Sequence, residues 1–249
     1  MYKKILVIAT LSLSWLALSH VHAAVELGSF EQQASKLKWA AEPQAKLPNV
    51  LIIGDSISIG YTLIVRESLK NNANVYRPIK NKGKLPDNGG DTRKGLRNID
   101  AWLNTQDVKS WQVIHFNWGL HDLKRITKGM GVKSNDPSQP ANLSIEQYAN
   151  NLDKLVKRLK QTGAKLIFAT TTPYPAGVTP SRIPADAVLY NQAALEVMAR
   201  HQVQVNDLYN EIKPKLATLQ QPVNVHFNRE GSQFLAKKVS QTIKQYLPK

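Results

Sequence analysis

Residues 50–58 read Val-Leu-Ile-Ile-Gly-Asp-Ser-Ile-Ser, an apolar run that stops at a glycine and two polar residues. Four consecutive aliphatic residues are typical of a strand that is buried on both faces. Residues 57–69 then have helical periodicity, so the pattern predicts a strand, a sharp turn and a helix. Ser56 lies at the carboxyl end of this strand, where open α/β sheets collect their functional groups.

The same alternation of strand and helix recurs about five times along the chain. The predicted strands are residues 50–53, 75–79, 111–116, 166–169 and 203–205. The predicted helices are residues 57–69, 92–103, 145–162, 185–201 and 231–247. Ser144 and Gln147 can form a capping box for the third helix, and Gly163 can end it. This order predicts an α/β fold with a parallel sheet between layers of helices.

The composition is that of a folded protein with a basic surface. The chain has 249 residues, 42% of them hydrophobic, with 13 Gly and 13 Pro, which excludes a disordered or collagen-like polymer. It has no cysteine, which excludes disulfides, thiolate zinc sites, cysteine nucleophiles and lipid attachment through cysteine. The formal net charge is +15.

The amino-terminal residues predict export. Lys3 and Lys4 precede a mostly apolar run at residues 5–18, and Val21 and Ala23 are small residues at the −3 and −1 positions of a cleavage site. The run is about 14 residues, shorter than the roughly 20 of a bilayer span, although an uncleaved anchor is the alternative. We therefore expect a periplasmic or secreted protein without stable membrane insertion. The predicted parts are a signal peptide at residues 1–23, an N-terminal extension at 24–48 and one domain at 49–249.

Four polar segments follow predicted strands or precede the last helix. They are residues 54–56, 88–92, 119–122 and 225–227. Each alone is compatible with an ordinary turn or helix cap. Because the carboxyl ends of parallel strands meet at one edge of the sheet, we expect the segments to form one site.

Together these segments resemble the SGNH or GDSL hydrolase family, over residues 49–247. The matching blocks are Gly54-Asp55-Ser56-Ile57-Ser58, Gly90-Asp91-Thr92 with Gly95, Gly119-Leu120-His121-Asp122, and His226-Phe227 with Glu230-Gly231. The resemblance implies a flavodoxin-like, three-layer α/β/α fold with about five parallel strands. It also implies a secreted bacterial-type serine esterase that forms an acyl-enzyme.

The chemistry of these residues agrees with that implication. Ser56 needs a base to become nucleophilic, and His226 is the histidine that lies just before the amphipathic C-terminal helix. The backbone N–H of Ser56 lies at a positive helix end and can stabilise an oxyanion. Gly90 can bring a second backbone N–H to the same oxygen, or it is a plain loop glycine.

His121 departs from the family, which has an asparagine that donates to the oxyanion at this position. A histidine can replace it only through a protonated ring nitrogen, so we expect the neutral tautomer to donate. Asn117 is the alternative donor. His121 could also be a partly buried loop residue bonded to Asp122 or to a carbonyl.

The orienting acid of the family is also missing, because Val223 occupies its position three residues before His226. The sequence therefore predicts a dyad of Ser56 and His226. A backbone carbonyl or the side chain of Asn224 would orient the imidazole. Asp207 and Glu230 are alternative carboxylates, although Asp207 is typical of a helix cap.

No metal site or cofactor is predicted. His115, His121, Asp122 and His226 are near one rim of the sheet, but their spacing matches no metal-binding pattern. Dinucleotide and Walker A glycine patterns are also missing. The cofactor prediction is therefore none.

The charge predicts an anionic partner. Removing Lys3 and Lys4 from the 33 basic residues leaves 31 against 18 acidic ones, or +13. Such a charge can favour nucleic acid, an anionic membrane face or an acidic polymer, and export makes nucleic acid the least natural of the three. Basic residues scattered along helices usually form a solvated face, whereas those next to the site are candidate contacts to an anionic or sulfated sugar chain. The cations near the predicted site are Arg93, Lys94, Arg97, Lys124 and Arg125. Trp118 flanks the His121 loop and is the candidate for stacking on a sugar.

The leading function is an extracytoplasmic carbohydrate esterase acting on O-acetyl groups, with a small-molecule or polysaccharide ester as substrate. A lipase- or thioesterase-like hydrolase of short acyl esters is the alternative enzyme. A catalytically weakened glycan-binding protein is the alternative outside enzymes.

Overall fold

The fold is built from seven strands and seven α-helices within residues 36–248, the part of the chain that the computed structural model describes. The strands are β1 (Asn49–Ile53), β2 (Asn74–Tyr76), β3 (Ile79–Lys80), β4 (Leu85–Pro86), β5 (Val113–Phe116), β6 (Lys165–Ala169) and β7 (Gln204–Asn206). The α-helices are α1 (Ser56–Ser68), α2 (Thr92–Leu103), α3 (Ile145–Lys160), α4 (Pro184–His201), α5 (Leu208–Ile212), α6 (Leu216–Leu219) and α7 (Arg229–Lys244). Short 3₁₀ turns occupy Thr105–Asp107 and Lys213–Lys215.

Five strands form a central parallel sheet in the order β2-β1-β5-β6-β7, and β3 and β4 form a small antiparallel hairpin. The chain moves from β1 to β2 in one direction and then crosses back to β5, so the right-handed crossover rule places α1 and α2 on opposite faces. Helix α7 packs on α1, and α3 packs on both α2 and α4. The prediction of a three-layer α/β/α fold is therefore confirmed.

The direction of the chain reverses between β1 and β5. In open α/β sheets this topological switch point opens a crevice at the carboxyl ends of the strands. Ser56 follows β1, and the segment from Gly119 to Asp122 follows β5. The order of the strands therefore brings two of the four polar segments to one crevice.

Several boundaries differ from the sequence prediction. Strand β2 ends at Tyr76, before Arg77 and Pro78, because proline has no N–H and the Arg77 side chain turns inward to hydrogen bond four groups. Strand β5 begins at Val113, two residues later than predicted. Helix α7 begins two residues earlier than predicted, because Asn228 caps it by accepting the Gly231 N–H at 2.8 Å.

Residues 36–48 pack against the sheet-and-helix layers. Trp39 is buried against Ile59 of α1, and the Arg66 guanidinium donates to the Trp39 carbonyl at 2.8 Å. The predicted domain boundary at residue 49 stays a prediction. The predicted signal peptide, and the predicted extension as far as residue 35, lie outside the described residues.

Gly89 is the point of closest approach between two polar segments. Its N–H donates to the Gly54 carbonyl at 2.8 Å, and a Cβ at Gly89 would lie 2.9 Å from the Gly54 carbonyl carbon. The indole N–H of Trp118 donates to the Gly89 carbonyl at 3.3 Å. Only a residue without a side chain allows the two backbones to approach this closely.

We expect Gly89→Ala to lower the free energy of unfolding by about 1–3 kcal/mol, because its methyl group would meet backbone atoms that cannot move aside. Gly60→Ala is the matched control, since a Cβ in the middle of α1 would meet only the flexible Ser232 hydroxyl at 3.3 Å. Its change should stay within about 1 kcal/mol. Urea unfolding of both variants measures the difference, and equal losses would contradict the packing argument.

Asp122 joins the loop after β5 to the start of α2. Its Oδ1 accepts the Thr92 backbone N–H at 2.9 Å and the Thr92 hydroxyl at 2.6 Å. Its Oδ2 is buried and has no partner among residues 36–248. Burial raises the pKa of Asp122 to about 7, so the folded protein holds a proton that an unfolded Asp loses near pH 4.

This proton predicts a pH-dependent effect of Asp122→Asn. Between about pH 4 and pH 7 the folded state binds more protons than the unfolded state, so wild-type stability falls as the pH rises through this window. Asparagine does not titrate. We therefore expect Asp122→Asn to gain stability relative to the wild type across the window, by up to about 4 kcal/mol.

Urea unfolding at pH 4.5, 6, 7 and 8 measures this gain. Asp100→Asn is the control, because the Asp100 side chain is 72% exposed and should show little change with pH. A gap between Asp122→Asn and wild type that stays constant from pH 4.5 to pH 8 would show that Asp122 is ionised in the folded protein.

Candidate active site

Ser56 is the first residue of α1, directly after the turn that ends β1. Asp55 caps this helix by accepting the Ile57 N–H at 3.0 Å, and the Ser58 hydroxyl donates to the Asp55 carbonyl at 2.7 Å. The backbone N–H of Ser56 has no acceptor within the helix, because the first turn of any helix lacks preceding carbonyls. Ser56 therefore presents a hydroxyl and a free backbone donor at the same helix end.

His226 lies 170 residues later and meets this hydroxyl. Its Nε2 lies 2.8 Å from the Ser56 Oγ. The His226 loop connects α6 to α7, and the Gln221 N–H donates to the His226 carbonyl at 3.0 Å. Gly231 permits this path, because a Cβ there would lie 2.4 Å from the Leu219 carbonyl oxygen.

The hydrogen bonds of Asn224 determine which nitrogen of His226 carries the proton. The Oδ1 of Asn224 lies 3.0 Å from the His226 backbone nitrogen and 2.8 Å from Nδ1. A backbone N–H can only donate, so the Asn224 atom on this side is the oxygen. Nδ1 must then carry the proton, which leaves Nε2 free to accept the Ser56 proton.

Within residues 36–248, no carboxylate contacts the ring of His226. Asp207 instead caps α5 and accepts the Thr170 hydroxyl at 3.0 Å, and Glu230 is exposed in the first turn of α7. Val223, at the position of the family's acid, has a φ of +48° and is 60% exposed. Asn224, nearer to His226 by one residue, is the residue that reaches the imidazole.

The imidazole of His226 is kept neutral. Burial lowers its pKa below the usual value of 6.5, and the positive charge of Arg182 lowers it further. A lower pKa keeps Nε2 unprotonated at neutral pH, as a general base requires.

His121 follows β5 at the same rim. Burial lowers its pKa to about 3, with additional contributions from the positive charges of Lys124 and Arg182. The ring is therefore neutral and carries one N–H. It makes no hydrogen bond to any described residue, and neither Asp122 nor a carbonyl binds it, so this N–H is available to a ligand.

Gly90 has a left-handed φ of +62°, which favours glycine. Its N–H donates to the side-chain oxygen of Asn88 at 2.9 Å. The backbone donor that the sequence analysis assigned to an oxyanion is therefore occupied by Asn88 in this structure. An incoming oxyanion would have to displace the Asn88 amide to reach the Gly90 N–H.

The side chains of Trp118 and Asn117 do not face a substrate. The prediction that Trp118 stacks on a sugar is wrong, because Trp118 is fully buried and its ring stacks on Trp102 at a centroid distance of 6.4 Å. It fills the space left by Gly95, where a Cβ would lie 2.9 Å from the indole. Asn117 is also buried and donates to the Ala169 carbonyl at 2.7 Å, which ties β5 to β6.

Most cations that the sequence placed near the site are paired. Arg93 lies 3.0 Å from Asp91, Lys94 lies 2.7 Å from Asp87, and Arg125 lies 2.7 Å from Asp186. Arg93 also donates to the Asn142 side chain at 2.6 Å. These acidic side chains neutralise the charges of the three cations. The guanidinium of Arg93 therefore binds protein groups and is not free to bind a substrate.

Two buried arginines were not predicted from the sequence. Arg77 donates to the carbonyls of Gly54 and Asp87 at 3.2 Å and 2.9 Å, and so supports the turn that carries Ser56. Arg182 donates to the carbonyls of Leu120 and Pro180, each at 3.0 Å. Neither lies in a recognisable motif, although a charged residue inside the predicted strand at 75–79, Arg77, was a detectable signal.

The described residues offer no metal centre. No group of three histidine or acidic side chains within residues 36–248 is close enough to hold a metal ion. The buried His115 instead lies with Nε2 3.3 Å from the Asn206 side-chain nitrogen. Among the same residues, no helix has the length and apolarity needed to cross a membrane.

Several solved structures share this fold. A lipase/acylhydrolase from Enterococcus faecalis aligns with a TM-score of 0.62 and 19% identity, over 81% of this chain and 98% of its own. The acetyl xylan esterase AlAXEase aligns with a TM-score of 0.60 and 14% identity, over 78% and 99%. TesA aligns with a TM-score of 0.55 and 16% identity, over 80% and 99%. No curated protein matches the chain in sequence.

The model of the GDSL-like Lipase/Acylhydrolase family matches residues 52–234, which include Ser56, the Gly90 loop, His121 and His226. The match covers most of the chain, and the structural neighbours have the same sheet and helix layers. The chain therefore belongs to the GDSL-like Lipase/Acylhydrolase family and is an ester hydrolase with the SGNH hydrolase fold.

Proposed function

We propose that the protein is an extracytoplasmic carbohydrate esterase that removes O-acetyl groups through a Ser56 acyl-enzyme, with His226 as general base. The observation that carries the proposal is the 2.8 Å contact between the Ser56 Oγ and the His226 Nε2. A hydroxyl and an unprotonated imidazole at this distance are the minimal apparatus for nucleophilic attack on an ester.

The proposed reaction has two halves. The Ser56 Oγ attacks the carbonyl carbon while its proton moves to the His226 Nε2. The tetrahedral intermediate then breaks its bond to the sugar oxygen, which takes the proton from Nε2 and leaves as an alcohol. Water repeats the attack on the acetyl-serine with His226 as base, and acetate leaves as Ser56 is restored.

The oxyanion is assigned to donors from three segments. The Ser56 N–H lies at the amino-terminal end of α1, where the helix dipole favours negative charge. The neutral ring of His121 has an N–H that no described residue occupies. The Gly90 N–H would join them once the Asn88 oxygen turns away, so substrate binding would complete the oxyanion hole.

The acetyl group is supported by one of the structural neighbours. The acetyl xylan esterase among the structural neighbours is a hydrolase of this fold that is named for an acetylated sugar polymer.

The extracytoplasmic location rests on residues 1–23 alone, where the basic start, apolar run and small residues are typical of a signal peptide. Amino-terminal sequencing of the exported protein would test it. A chain that begins after Ala23 is the expected result, and an intact start at Met1 would contradict export by cleavage.

We expect Ser56→Ala and His226→Ala each to lower kcat for p-nitrophenyl acetate by about 10⁴-fold, because both groups act in one proton transfer. Ser138→Ala is the control, since its hydroxyl bonds only to Asp136 in an exposed loop. An organophosphonate should label the wild type and not Ser56→Ala.

Absence of labelling on active protein would rule out the Ser56 acyl-enzyme. Absence of both labelling and turnover would instead favour a glycan-binding protein. A series of p-nitrophenyl esters from acetate to decanoate separates acetyl esterase from lipase or thioesterase. The proposed acetyl esterase predicts that turnover falls steeply as the acyl chain lengthens.

Asn224 is proposed as the positioning residue for His226. We expect Asn224→Ala to lower kcat by at least about tenfold, because Nδ1 loses its acceptor and the imidazole its tautomer. Asn224→Asp should keep or raise kcat, since a carboxylate accepts the same two N–H groups and stabilises the imidazolium.

The pH profile distinguishes positioning from a merely structural role. A carboxylate beside Nδ1 raises the pKa of His226, so the acidic limb of kcat/KM should move to higher pH in Asn224→Asp. If Asn224→Ala and Asn224→Asp lose kcat equally and the acidic limb of kcat/KM does not move, Asn224 does not position the imidazole of His226.

A further inference from the structure

Three cations beside the proposed catalytic centre have no carboxylate partner among the described residues. They are Lys124, Lys133 and Arg182, which form what we call the cation cluster. Of the other basic residues near the site, Arg93, Lys94 and Arg125 lie within 3.0 Å of an acidic side chain, and Arg97 is exposed on α2 without an ion pair to any described residue. Ion pairs among the described residues therefore do not neutralise the charges of the cation cluster.

Backbone hydrogen bonds bring the cluster together from three parts of the chain. The Arg125 N–H donates to the Ser181 carbonyl at 2.8 Å, the Ser181 N–H to the Ser134 carbonyl at 2.8 Å, and the Ser134 N–H to the Arg125 carbonyl at 3.0 Å. The members of the cluster are the sequence neighbours of these three residues. The closed ring of bonds therefore holds the three cations near each other without any ion pair.

An antiparallel bridge fixes the position of Lys133 in this loop. Ile126 pairs with Lys133 in the bridge, so these two side chains share a face. Arg125 forms the neighbouring bridge with Ala141 and lies 2.7 Å from Asp186, and Lys124 lies in the bend just before it. The positive charges of Lys133 and Arg182 contribute to lowering the pKa of Lys124, as expected for charges that lie close together.

Arg182 is the buried member of the cluster. Its side chain is only 7% exposed, and its Nε and Nη1 donate to the carbonyls of Leu120 and Pro180. Its Nη2 makes no hydrogen bond within residues 36–248, yet is not sealed from solvent. No carboxylate of a described residue contacts this buried guanidinium, and Asp55 acts on it only through its charge, so its free edge is suited to an anion that arrives from outside.

The cluster lies next to the proposed catalytic centre. The Leu120 carbonyl that holds Arg182 directly precedes His121. Asn142 connects the two groups, since its N–H donates to the Lys124 carbonyl at 2.8 Å and its side chain donates to the His121 carbonyl at 3.0 Å. The charge of Arg182 also acts on His226 and Asp55. Of the nearby acids, Asp91 is bound by Arg93 and Asp122 is buried.

We propose that Lys124, Lys133 and Arg182 bind an anionic oxygen group, a carboxylate or a sulfate, on the sugar chain that carries the scissile ester. Arg182 would hold the anion through its free Nη2, and the two lysines would attract the chain from solvent. The substrate class is then an acetylated acidic polysaccharide. This inference rests on the proposed esterase function, which it narrows.

The test compares substrates that differ only in charge. For carboxylate, acetylated polygalacturonate is compared with the same polymer after amidation of its carboxylates. For sulfate, acetylated dextran sulfate is compared with acetylated dextran. At low salt, kcat/KM for acetate release should be at least tenfold higher on the anionic polymer than on its neutral counterpart, for the pair that carries the anion bound by the cluster. In 0.5 M NaCl this anionic-to-neutral ratio should fall, because salt screens the attraction.

Variants locate the effect. We expect Lys124→Gln and Lys133→Gln each to lower the anionic-to-neutral ratio about threefold through KM, and the double variant to lower it about tenfold. Arg182→Gln should lower it more, because its guanidinium is buried. Lys154→Gln is the control, since it removes one charge from the exposed face of α3 and should keep the wild-type ratio.

The two proposals fail in different ways. Suppose that p-nitrophenyl acetate is hydrolysed through Ser56 but the anionic-to-neutral ratio of kcat/KM is near one for both pairs of polymers. The cation cluster then does not bind an anionic group of the substrate, and the esterase function stands without it. If Lys154→Gln lowers the anionic-to-neutral ratio of kcat/KM as much as Lys124→Gln does, the preference depends on the net charge of the protein. The proposal that the cation cluster binds the anion is then wrong. If no ester is hydrolysed, calorimetry of Ser56→Ala with unacetylated polygalacturonate and with dextran sulfate still tests whether the cation cluster binds an anionic polymer. The absence of binding heat with both polymers would overturn the proposed anion site.

Discussion

The contact between the Gly89 and Gly54 backbones is the constraint on which the rest of the site depends. It brings the loop before α2 against the turn after β1 with no side chain between them. Trp118 and Arg77 hold the same junction from two other directions through hydrogen bonds to the Gly89 and Gly54 carbonyls. Since Ser56 follows this turn directly, the position of its hydroxyl is set by backbone packing.

An amide, and not the carboxylate that the family resemblance implies, contacts the imidazole of His226. An amide oxygen selects the tautomer of His226 as well as a carboxylate does, because both accept the Nδ1 proton. It gives less stabilisation to the imidazolium, because it carries no negative charge. Burial and the charge of Arg182 also disfavour the imidazolium, so this His226 is a weaker base than one with an aspartate beside it.

Predictions from sequence succeeded where the signal was local. The aliphatic run of β1, the capping box of Ser144 and the stripe of α3 each lie within one segment, and all appear in the structure near their predicted positions. The prediction for Trp118 was wrong because its position beside a polar loop did not reveal that Gly95 opens a space for its ring. Arg77 and Arg182 were missed because each binds a carbonyl that is distant in sequence, that of Gly54 for Arg77 and that of Leu120 for Arg182.

The sequence by itself determined the alternating α/β pattern, the family blocks and the two residues, Ser56 and His226, that the structure brings to 2.8 Å. It also identified Asn224 as one of the groups that could orient the imidazole. Only the tertiary structure decided which cations are free and which are paired, and which backbone donors are occupied. These properties depend on distances between segments that are far apart in the chain, and local periodicity and motif spacing carry no information about such distances.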